Sequence, residues 1–254
     1  MKEYIGLDVS MKETAVSIRR NGERVWRGKC VSDPAVIAQL VRKRAPAVER
    51  IVFETGPLSV WFYHALRAED LPAICIDARH AKSALDMAPN KTDANDADGL
   101  AHLAEIGFFR EVRVKGFDSM LARTLIAARN RLVRITVDLS NHIRGFMKTF
   151  GLLIPAGKGS TFEAHVRRLL SDQPKLSEIL LPMLDAWCAT RLQAARLARQ
   201  IAAEARQNEG CRILMSIPGV GAITATSFVT AIESPDNFRK SRSVGAWVGL
   251  TTRR

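Results

Sequence analysis

The chain has 254 residues, a formal net charge of +12, 47% apolar residues and 25% charged residues, which is typical of a soluble globular protein. Its four cysteines are widely spaced and form no CxxC pair, so the sequence suggests neither a disulfide framework nor a zinc site. The N-terminus lacks a signal-like apolar region and no segment approaches about 18 uninterrupted apolar residues, so we expect a cytoplasmic protein that does not enter membranes.

The first half alternates strand-like and helix-like runs. Period-two apolar spacing predicts three antiparallel strands in "YIGLDVS", "TAVSIRR" and "RVWRGKCV", separated by the turns "MKE" and "NGE". The run "DPAVIAQLVRKRA" opens with an aspartate cap and a proline, which predicts a helix. Two buried strands, "RIVFE" and "PAICID", then alternate with the helices "GPLSVWFYHALRAE" and "ARHAKSALDM". The order predicts a mixed α/β domain over residues 1–112.

The next segment, "NKTDANDADGLAHL", places three aspartates within six positions. On a helix turning about 100° per residue, Asp93 and Asp96 share the face of the apolar stripe, while Asp98 and Glu105 point away from it. Two carboxylates aimed at a core are costly to desolvate unless a cation or hydrogen-bond donors meet them. Metal binding by Asp93 and Asp96 and a simple helix-capping role both remain open, and Asp98 is interpreted as an ordinary solvated acid.

All of the excess charge lies in the second half. Residues 1–112 contain 16 basic and 16 acidic residues, whereas residues 113–254 contain 22 and 10. A balanced domain followed by a basic one indicates a polyanionic partner. Residues 113–209 read as a coiled-coil-like region of two long antiparallel helices, the second disturbed at Pro182.

The first long helix, from Asp118 to about Phe150, carries cations that few acids oppose. Its expected apolar residues are Leu121, Leu125, Leu132, Ile135, Leu139, Ile143 and Phe146. The candidate phosphate-binding residues on its other faces are Arg123, Arg129, Arg131, Arg134, Arg144 and Lys148. For any single arginine, a solvated helix face is an equally good interpretation.

Residues 210–254 include "IPGVG" between two helical runs, a pattern that resembles a helix-hairpin-helix. Gly219 and Gly221 would open the turn and expose backbone N–H groups to a DNA phosphate. A tight structural corner without nucleic-acid contact is the alternative.

Two further acids complete a candidate constellation in the first domain. Asp8 lies mid-strand and points to the face opposite Ile5 and Leu7, and Glu54 ends the strand "RIVFE". With Asp93 and Asp96 they form a set of hard oxygen donors suited to Mg²⁺ or Mn²⁺, of the kind that supports phosphoryl transfer. Individually, Asp8 is also compatible with a satisfied strand acid and Glu54 with a helix cap. Jointly the four acids predict an RNase H or RuvC-like nuclease core.

Over its whole length the chain resembles the DEDD-type insertion-sequence transposases, the family numbered one hundred and ten with its eleven-eleven subgroup. The resemblance rests on "YIGLDVS", "VFETGP", "NKTDANDADGLA", "IPGVGAITATSFVTAI" and "FRKSRSVGAWVGLT" in that order. It implies a metal-binding tetrad of Asp8, Glu54, Asp93 and Asp96 in a bacterial, nucleoid-associated DNA recombinase. It also implies a homo-oligomer, dimer or tetramer, guided by a structured RNA.

The chain departs from that family near its end. The family's serine nucleophile follows the stretch that matches "GLTTRR", where this chain stops at Arg254, and Thr252 replaces the usual proline. The serines of the last segment do not match the nucleophile position, and none is assigned to it: Ser216, Ser227, Ser234, Ser241 and Ser243. We therefore expect a truncated C-terminal transposase domain.

Two other classes of function remain open. A non-catalytic nucleic-acid-binding fragment or regulatory product would also explain the basic second half without a serine. An actin-like or sugar-kinase ATPase is favoured only by "GLDVS", since no second phosphate loop or adenosine-binding glycine run accompanies it.

Overall fold

The computed structural model describes residues 1–85 and 92–250 and divides the chain into two compact units, Met1–Lys115 and Gly116–Arg254. The elements of the first unit are β1 (Glu3–Val9), β2 (Glu13–Arg20), β3 (Glu23–Val31), α1 (Pro34–Arg44), β4 (Val48–Glu54), α2 (Ser59–Ala68), β5 (Ala73–Ile76), α3 (Ala78–Leu85) and α4 (Asp93–Ile106). This order confirms the predicted succession of three strands followed by alternating helices and strands.

The five strands form one mixed sheet in the order β3-β2-β1-β4-β5. The first three strands are antiparallel neighbours, while β4 runs parallel to β1 and β5 runs parallel to β4. Helices connect the parallel strands because a parallel pair needs a crossover rather than a tight turn. The topology confirms the expected α/β fold of the RNase H and RuvC type.

The two faces of this sheet bury different sets of side chains. On one face Ile5, Leu7 and Phe53 pack with residues of α1 and α2, such as Ile37 and Phe62. On the other face the sheet meets α4 through a smaller apolar cluster, whose fully buried members are Val52, Ile76, Ala81, Leu100, Leu103 and Ala104. Because successive side chains of a strand project to opposite faces, every second residue of β1 and β4 projects towards α4.

The second unit is helical. Its elements are α5 (Phe117–Thr149), α6 (Ser160–Leu170), α7 (Pro174–Gln207), α8 (Glu209–Met215), α9 (Ala222–Ile232), a 3-10 turn (Pro235–Asn237) and α10 (Arg242–Trp247). The end of α5 packs on the start of α7, where Ile143, Met147 and Leu180 belong to one buried cluster, and the start of α5 lies beside Glu204 at the other end of α7. The two long helices are therefore antiparallel, as predicted, and α7 continues through Pro182 without a break.

The apolar face predicted for the long basic helix is partly wrong. Leu121 and Phe146 are about half exposed, whereas Ile126 and Met147 are buried. Ile143 is buried as expected. Towards both ends of α5, a residue one position after the predicted one is buried in its place. The reason is that α6 and α7 determine which side of α5 is covered.

The cysteines carry free thiols, two of them buried and two half-buried. Burial raises the pKa of Cys75 to about 11, so this thiol stays protonated at neutral pH and is not a nucleophile. In the part of the chain that the structure describes, no helix combines the length and apolar character needed to cross a membrane.

Candidate active site

Asp8 lies on the face of β1 that α4 covers. Its neighbour two residues earlier, Gly6, is in such close contact with α4 that a Cβ atom there would lie 2.1 Å from the carbonyl oxygen of Ala97. Side chains two residues apart share a strand face, so Asp8 projects to the same side. The predicted orientation of Asp8, away from Ile5 and Leu7, agrees with the buried cluster that those two residues join.

Glu54 reaches the same face from the neighbouring parallel strand. Val52, two residues before it, packs in the cluster beneath α4. The last registered pair of β1 and β4 is Leu7 with Phe53, so Asp8 and Glu54 are the next residues on two adjacent strands. Adjacent strands lie about 4.8 Å apart, which places the two carboxylate-bearing positions side by side at the carboxyl ends of the strands.

The N-terminus of α4 points towards this edge. Ala97 and Ala101 lie over Gly6, whereas Ala104, further along the helix, accepts a hydrogen bond of 3.0 Å from Arg50 near the start of β4. The helix thus runs antiparallel to β1, and its first turn lies towards the strand ends. The N-cap is Thr92, whose side-chain oxygen accepts from the backbone N–H of Asn95, so the capping role considered for Asp93 belongs to Thr92.

Asp93 and Asp96 occupy this first turn with different surroundings. Asp96 is half-buried. Asp93 keeps 65% of its side chain exposed and binds the ammonium of Lys29 on β3, with 2.7 Å between Nζ and Oδ2. The Lys29 hydrogen bond and charge hold the pKa of Asp93 below its ordinary value. In the reciprocal direction, Asp93 is the main cause of a raised pKa of Lys29, and Asp8 contributes to it.

The four predicted acids are therefore arranged along one edge of the sheet, although they do not converge on a single point. Among the described residues, no group of three or more His, Cys, Asp or Glu side chains stands close enough together to hold a metal ion. Asp8 and Glu54 lie on neighbouring strands and Asp93 and Asp96 on the helix end above the same face. The donors are all carboxylates, the ligand chemistry that Mg²⁺ and Mn²⁺ prefer.

The interpretation of Asp98 as a solvated acid is wrong, and so is the outward orientation assigned to Glu105. Asp98 accepts a hydrogen bond of 2.9 Å from Ser17 and pairs with Arg19, and only 23% of its side chain is exposed. Glu105 pairs with the same arginine at 3.2 Å and accepts from the backbone N–H of Gly22. The polar face of α4 packs against polar side chains of β2. A helical wheel shows only the residues of one helix, so it does not reveal this contact.

Removing the Asp98 charge is expected to destabilise the first unit. In Asp98→Asn, Arg19 loses a charged partner in a partly buried setting, and hydrogen bonds to charged groups contribute about 1.5–3 kcal/mol to stability. Urea unfolding monitored by circular dichroism measures the change. The control is Glu49→Gln, which breaks the solvent-exposed pair with Lys2 and should change stability much less, because water and salt screen that pair. Equal midpoints for both variants would restore the solvated interpretation of Asp98.

Two residues at this edge were not predicted. Gly6 is needed because α4 crosses β1 at backbone contact distance. Lys29 is aligned with Asp8 through Ala15, which pairs with both of them in the strand register. The sequence could have indicated Lys29, because residues in register on neighbouring strands share a face of the sheet. That inference requires the registers of β1 and β3 on either side of β2, which the sequence-based prediction did not assign.

The basic residues predicted on α5 differ in exposure. Four of them are exposed, namely Arg123, Arg131, Arg134 and Lys148. Arg144 is half-buried, with its guanidinium 4.7 Å from the ring centre of Phe162, and Arg129 is half-buried and donates to Asn130. The structure thus uses Arg144 and Arg129 in packing within their own unit.

The glycine turn lies between α8 and α9. Gly219 has a φ of +88°, a left-handed conformation that favours glycine, and Gly221 is the N-cap of α9. Both are exposed. A buried cluster that includes Cys211 and Ala225 packs the two helices together, so the hairpin has the form that the sequence predicted.

Lys91, which the sequence placed near any phosphate bound at the acids, lies outside the described residues. So does Thr252, where the chain departs from the pattern of the family that it resembles.

Comparison with known proteins identifies relatives of both units. A family model described as "Transposase", of the DEDD type of IS110, matches residues 5–151, and a second, "Transposase IS116/IS110/IS902 family", matches residues 211–254. The chain is 28% identical over 202 residues to a transposase for insertion sequence element IS1111A from Coxiella burnetii, covering 78% of this chain and 55% of that protein. A putative transposase, y4pF/y4sB, from Sinorhizobium fredii is 33% identical over 165 residues, covering 63% of this chain and 42% of that protein.

The chain spans about half the length of the curated relatives it matches. A solved structure of T. thermophilus RuvC in complex with a Holliday junction substrate aligns with 44% of this chain and 100% of its own. Its sequence identity is 11% and its TM-score is 0.34.

Proposed function

The chain belongs to the IS110-type DEDD transposases, and on that premise we propose that it is the metal-dependent DNA-cleaving and strand-transferring part of an insertion-sequence recombinase. One observation carries the proposal. Asp8 and Glu54 follow the last registered pair of two adjacent parallel strands, on the face over which α4 begins with Asp93 and Asp96. A chain that merely binds nucleic acid has no need for four carboxylates at one sheet edge, where they repel phosphates.

The four carboxylates are the residues that would hold Mg²⁺ or Mn²⁺. Bound divalent ions would supply Lewis-acid stabilisation of the attacking and leaving oxygens of a phosphodiester. The protein's part is to hold Asp8 and Glu54 on rigid strands and Asp93 and Asp96 on a helix that packs directly against β1. Positions fixed by a sheet and its covering helix limit how far the four side chains must move to meet on one ion.

DNA would be held along α5 in this proposal. At about 100° per residue, Arg123, Arg131, Arg134 and Lys148 fall within about 100° of one another around the helix. From Arg123 to Lys148 the helix advances about 37 Å, a length comparable to one turn of duplex DNA. Asp138 is the acidic residue on that exposed face, so the stripe remains strongly positive. The α8–α9 turn, with its exposed Gly219 and Gly221, would add backbone N–H donors for a phosphate.

The proposal also includes a structured guide RNA and a homo-oligomer, dimer or tetramer, as partners. Both expectations come from the family rather than from a contact within this chain. Electrostatic attraction to phosphates does not distinguish RNA from DNA, so the same cations serve either polymer.

Salt-dependent binding to duplex DNA and structured RNA tests the proposed interface. The triple variant Arg123→Gln, Arg131→Gln and Arg134→Gln should bind more weakly and reduce the slope of log affinity against log salt by about 3, since each lost phosphate contact removes about one unit. A triple variant at Arg196, Arg199 and Arg206 removes the same charge from exposed positions on α7 and is the matched control. Equal losses in both would show that net charge, and not the α5 stripe, attracts the polyanion.

Mg²⁺-dependent cleavage of the bound DNA separates catalysis from binding alone. Cleavage that needs the metal supports the recombinase. Salt-dependent binding with no cleavage in either Mg²⁺ or Mn²⁺ would favour the non-catalytic nucleic-acid-binding alternative, and tight ATP binding would favour the actin-like one.

A further inference from the structure

Lys29 places a positive charge beside the carboxylates of the candidate site. It lies on β3, in register with Ala15 of β2, which is itself in register with Asp8 of β1. Registered residues of neighbouring strands project from the same face, so the Lys29 side chain rises on the α4 side of the sheet. From there its ammonium reaches Oδ2 of Asp93 at 2.7 Å.

This contact differs from the ordinary surface ion pairs of the same unit. It joins two elements that are far apart in sequence, β3 and the first turn of α4. It also engages an acid of the proposed tetrad, and Lys29 is influenced by Asp8 as well as by Asp93. Lys2 and Glu49 form a pair of nearly equal length, 2.8 Å, at the opposite end of β4 and away from the tetrad.

We propose that Lys29 is an internal counter-ion that competes with the divalent metal for Asp93. With no divalent ion bound, Lys29 neutralises Asp93 and ties the start of α4 to β3. Binding of the metal through Asp93 requires this ion pair to break, because two cations cannot share one carboxylate oxygen without strong repulsion. Lys29 is thus a positioning residue that lowers the affinity of the site for metal.

The inference rests on the proposed function, since it assumes that the tetrad binds a divalent ion. Its consequence is nevertheless distinct. The tetrad alone predicts that loss of any acid weakens metal binding, whereas the counter-ion predicts that loss of one particular lysine strengthens it. A lysine that only stabilised the fold would not tighten metal binding when removed.

Calorimetric titration of the full chain with Mn²⁺ in low-salt buffer is the test. Lys29→Met keeps the length of the side chain and removes its charge, and it should bind Mn²⁺ about thirtyfold more tightly, the effect of one unit charge on a divalent ion about 4 Å away in water-like surroundings. Lys29→Arg keeps the charge and should bind like the wild type. Lys2→Met removes the same charge from a pair of similar length and exposure and should leave the affinity within about twofold, because Lys2 lies about 20 Å along the strand from Asp8 and the Coulomb energy falls with distance.

The outcomes separate this inference from the function on which it rests. Tighter binding in Lys29→Met, with Lys2→Met and Lys29→Arg unchanged, supports the counter-ion. Unchanged or weaker binding in Lys29→Met, or equal tightening in Lys2→Met, overturns it while leaving the tetrad in place, provided that Glu54→Gln binds Mn²⁺ more weakly than the wild type. A wild-type chain that binds no Mn²⁺, or a Glu54→Gln variant that binds it equally well, overturns both.

Discussion

Replacing Glu54 by glutamine in a full-length counterpart that carries the serine segment is expected to abolish Mg²⁺-dependent strand cleavage and transfer while leaving the fold intact. The substitution keeps the size of the side chain but removes the negative charge that a hard cation requires. Loss of a hydrogen-bonding partner of a metal ligand already costs about 10- to 100-fold in affinity or activity. Loss of a ligand itself should therefore cost at least about 100-fold. Time courses of DNA cleavage with and without Mg²⁺ measure it, with circular dichroism as the check on folding.

Glu49→Gln is the matched control for this experiment. Glu49 lies on the same strand, β4, at its other end and pairs with the exposed Lys2. The variant makes the same chemical change without touching the sheet edge where Asp8 lies, so cleavage should stay within about twofold of the wild type, as for most exposed substitutions. Full activity in Glu54→Gln, or equal losses in both variants, would remove Glu54 from the proposed metal site.

The fold of the first unit could be predicted from the sequence because its signals are local. Period-two spacing in the strands, an aspartate cap with proline before α1, and short buried runs between helices each identify one element. The parallel pairing of β4 with β1 follows once a helix separates the strands. Three antiparallel strands followed by two crossovers leave few arrangements of a five-stranded sheet.

The environment of the acids was harder to predict because it depends on partners that lie far apart in sequence. The helical wheel placed Asp98 and Glu105 away from the apolar stripe, and Asp98 was interpreted as solvated, yet Arg19 and Ser17 project from β2 to meet them. A wheel separates apolar from polar faces, but it cannot show that a polar helix face meets a polar strand face. Lys29 was missed for the same reason, since Asp93 lies 64 positions further along the chain.

The long helices show the limit of periodicity. The helical pattern of α5 gave its length, but its neighbours determined which side is buried, so Met147 is covered while Phe146 is about half exposed. Similarly, the sequence pattern could not distinguish arginines that pack against aromatic rings, such as Arg144 over Phe162, from arginines that are exposed to solvent. The net charge predicted a polyanionic partner. Which basic residues pack inside the protein and which are exposed to such a partner depends on the packing of the helices.

Substituting Gly6 by alanine is expected to disturb both stability and the candidate site. An added Cβ would lie 2.1 Å from the oxygen of Ala97 and 2.3 Å from the nitrogen of Ala101, which are backbone atoms that cannot rotate away. The helix α4 must therefore move off β1, and overpacking of this kind costs about 1–3 kcal/mol or more. The same movement displaces Asp93 and Asp96 relative to Asp8, and a displacement of about 1 Å in a reacting site can cost about 100-fold in rate.

Gly56→Ala is the control because a Cβ at Gly56 would meet nothing within 4 Å. Its stability should change by less than about 0.5 kcal/mol. Urea unfolding and amide hydrogen exchange along α4 measure the two variants, and faster exchange in α4 is expected only for Gly6→Ala. Because the helix carries half of the proposed tetrad, Gly6→Ala should also weaken Mn²⁺ binding although it removes no carboxylate. Normal stability and normal Mn²⁺ binding in this variant would mean that α4 does not cross β1 at backbone contact, and the placement of Asp93 and Asp96 over the strand ends would fail with it.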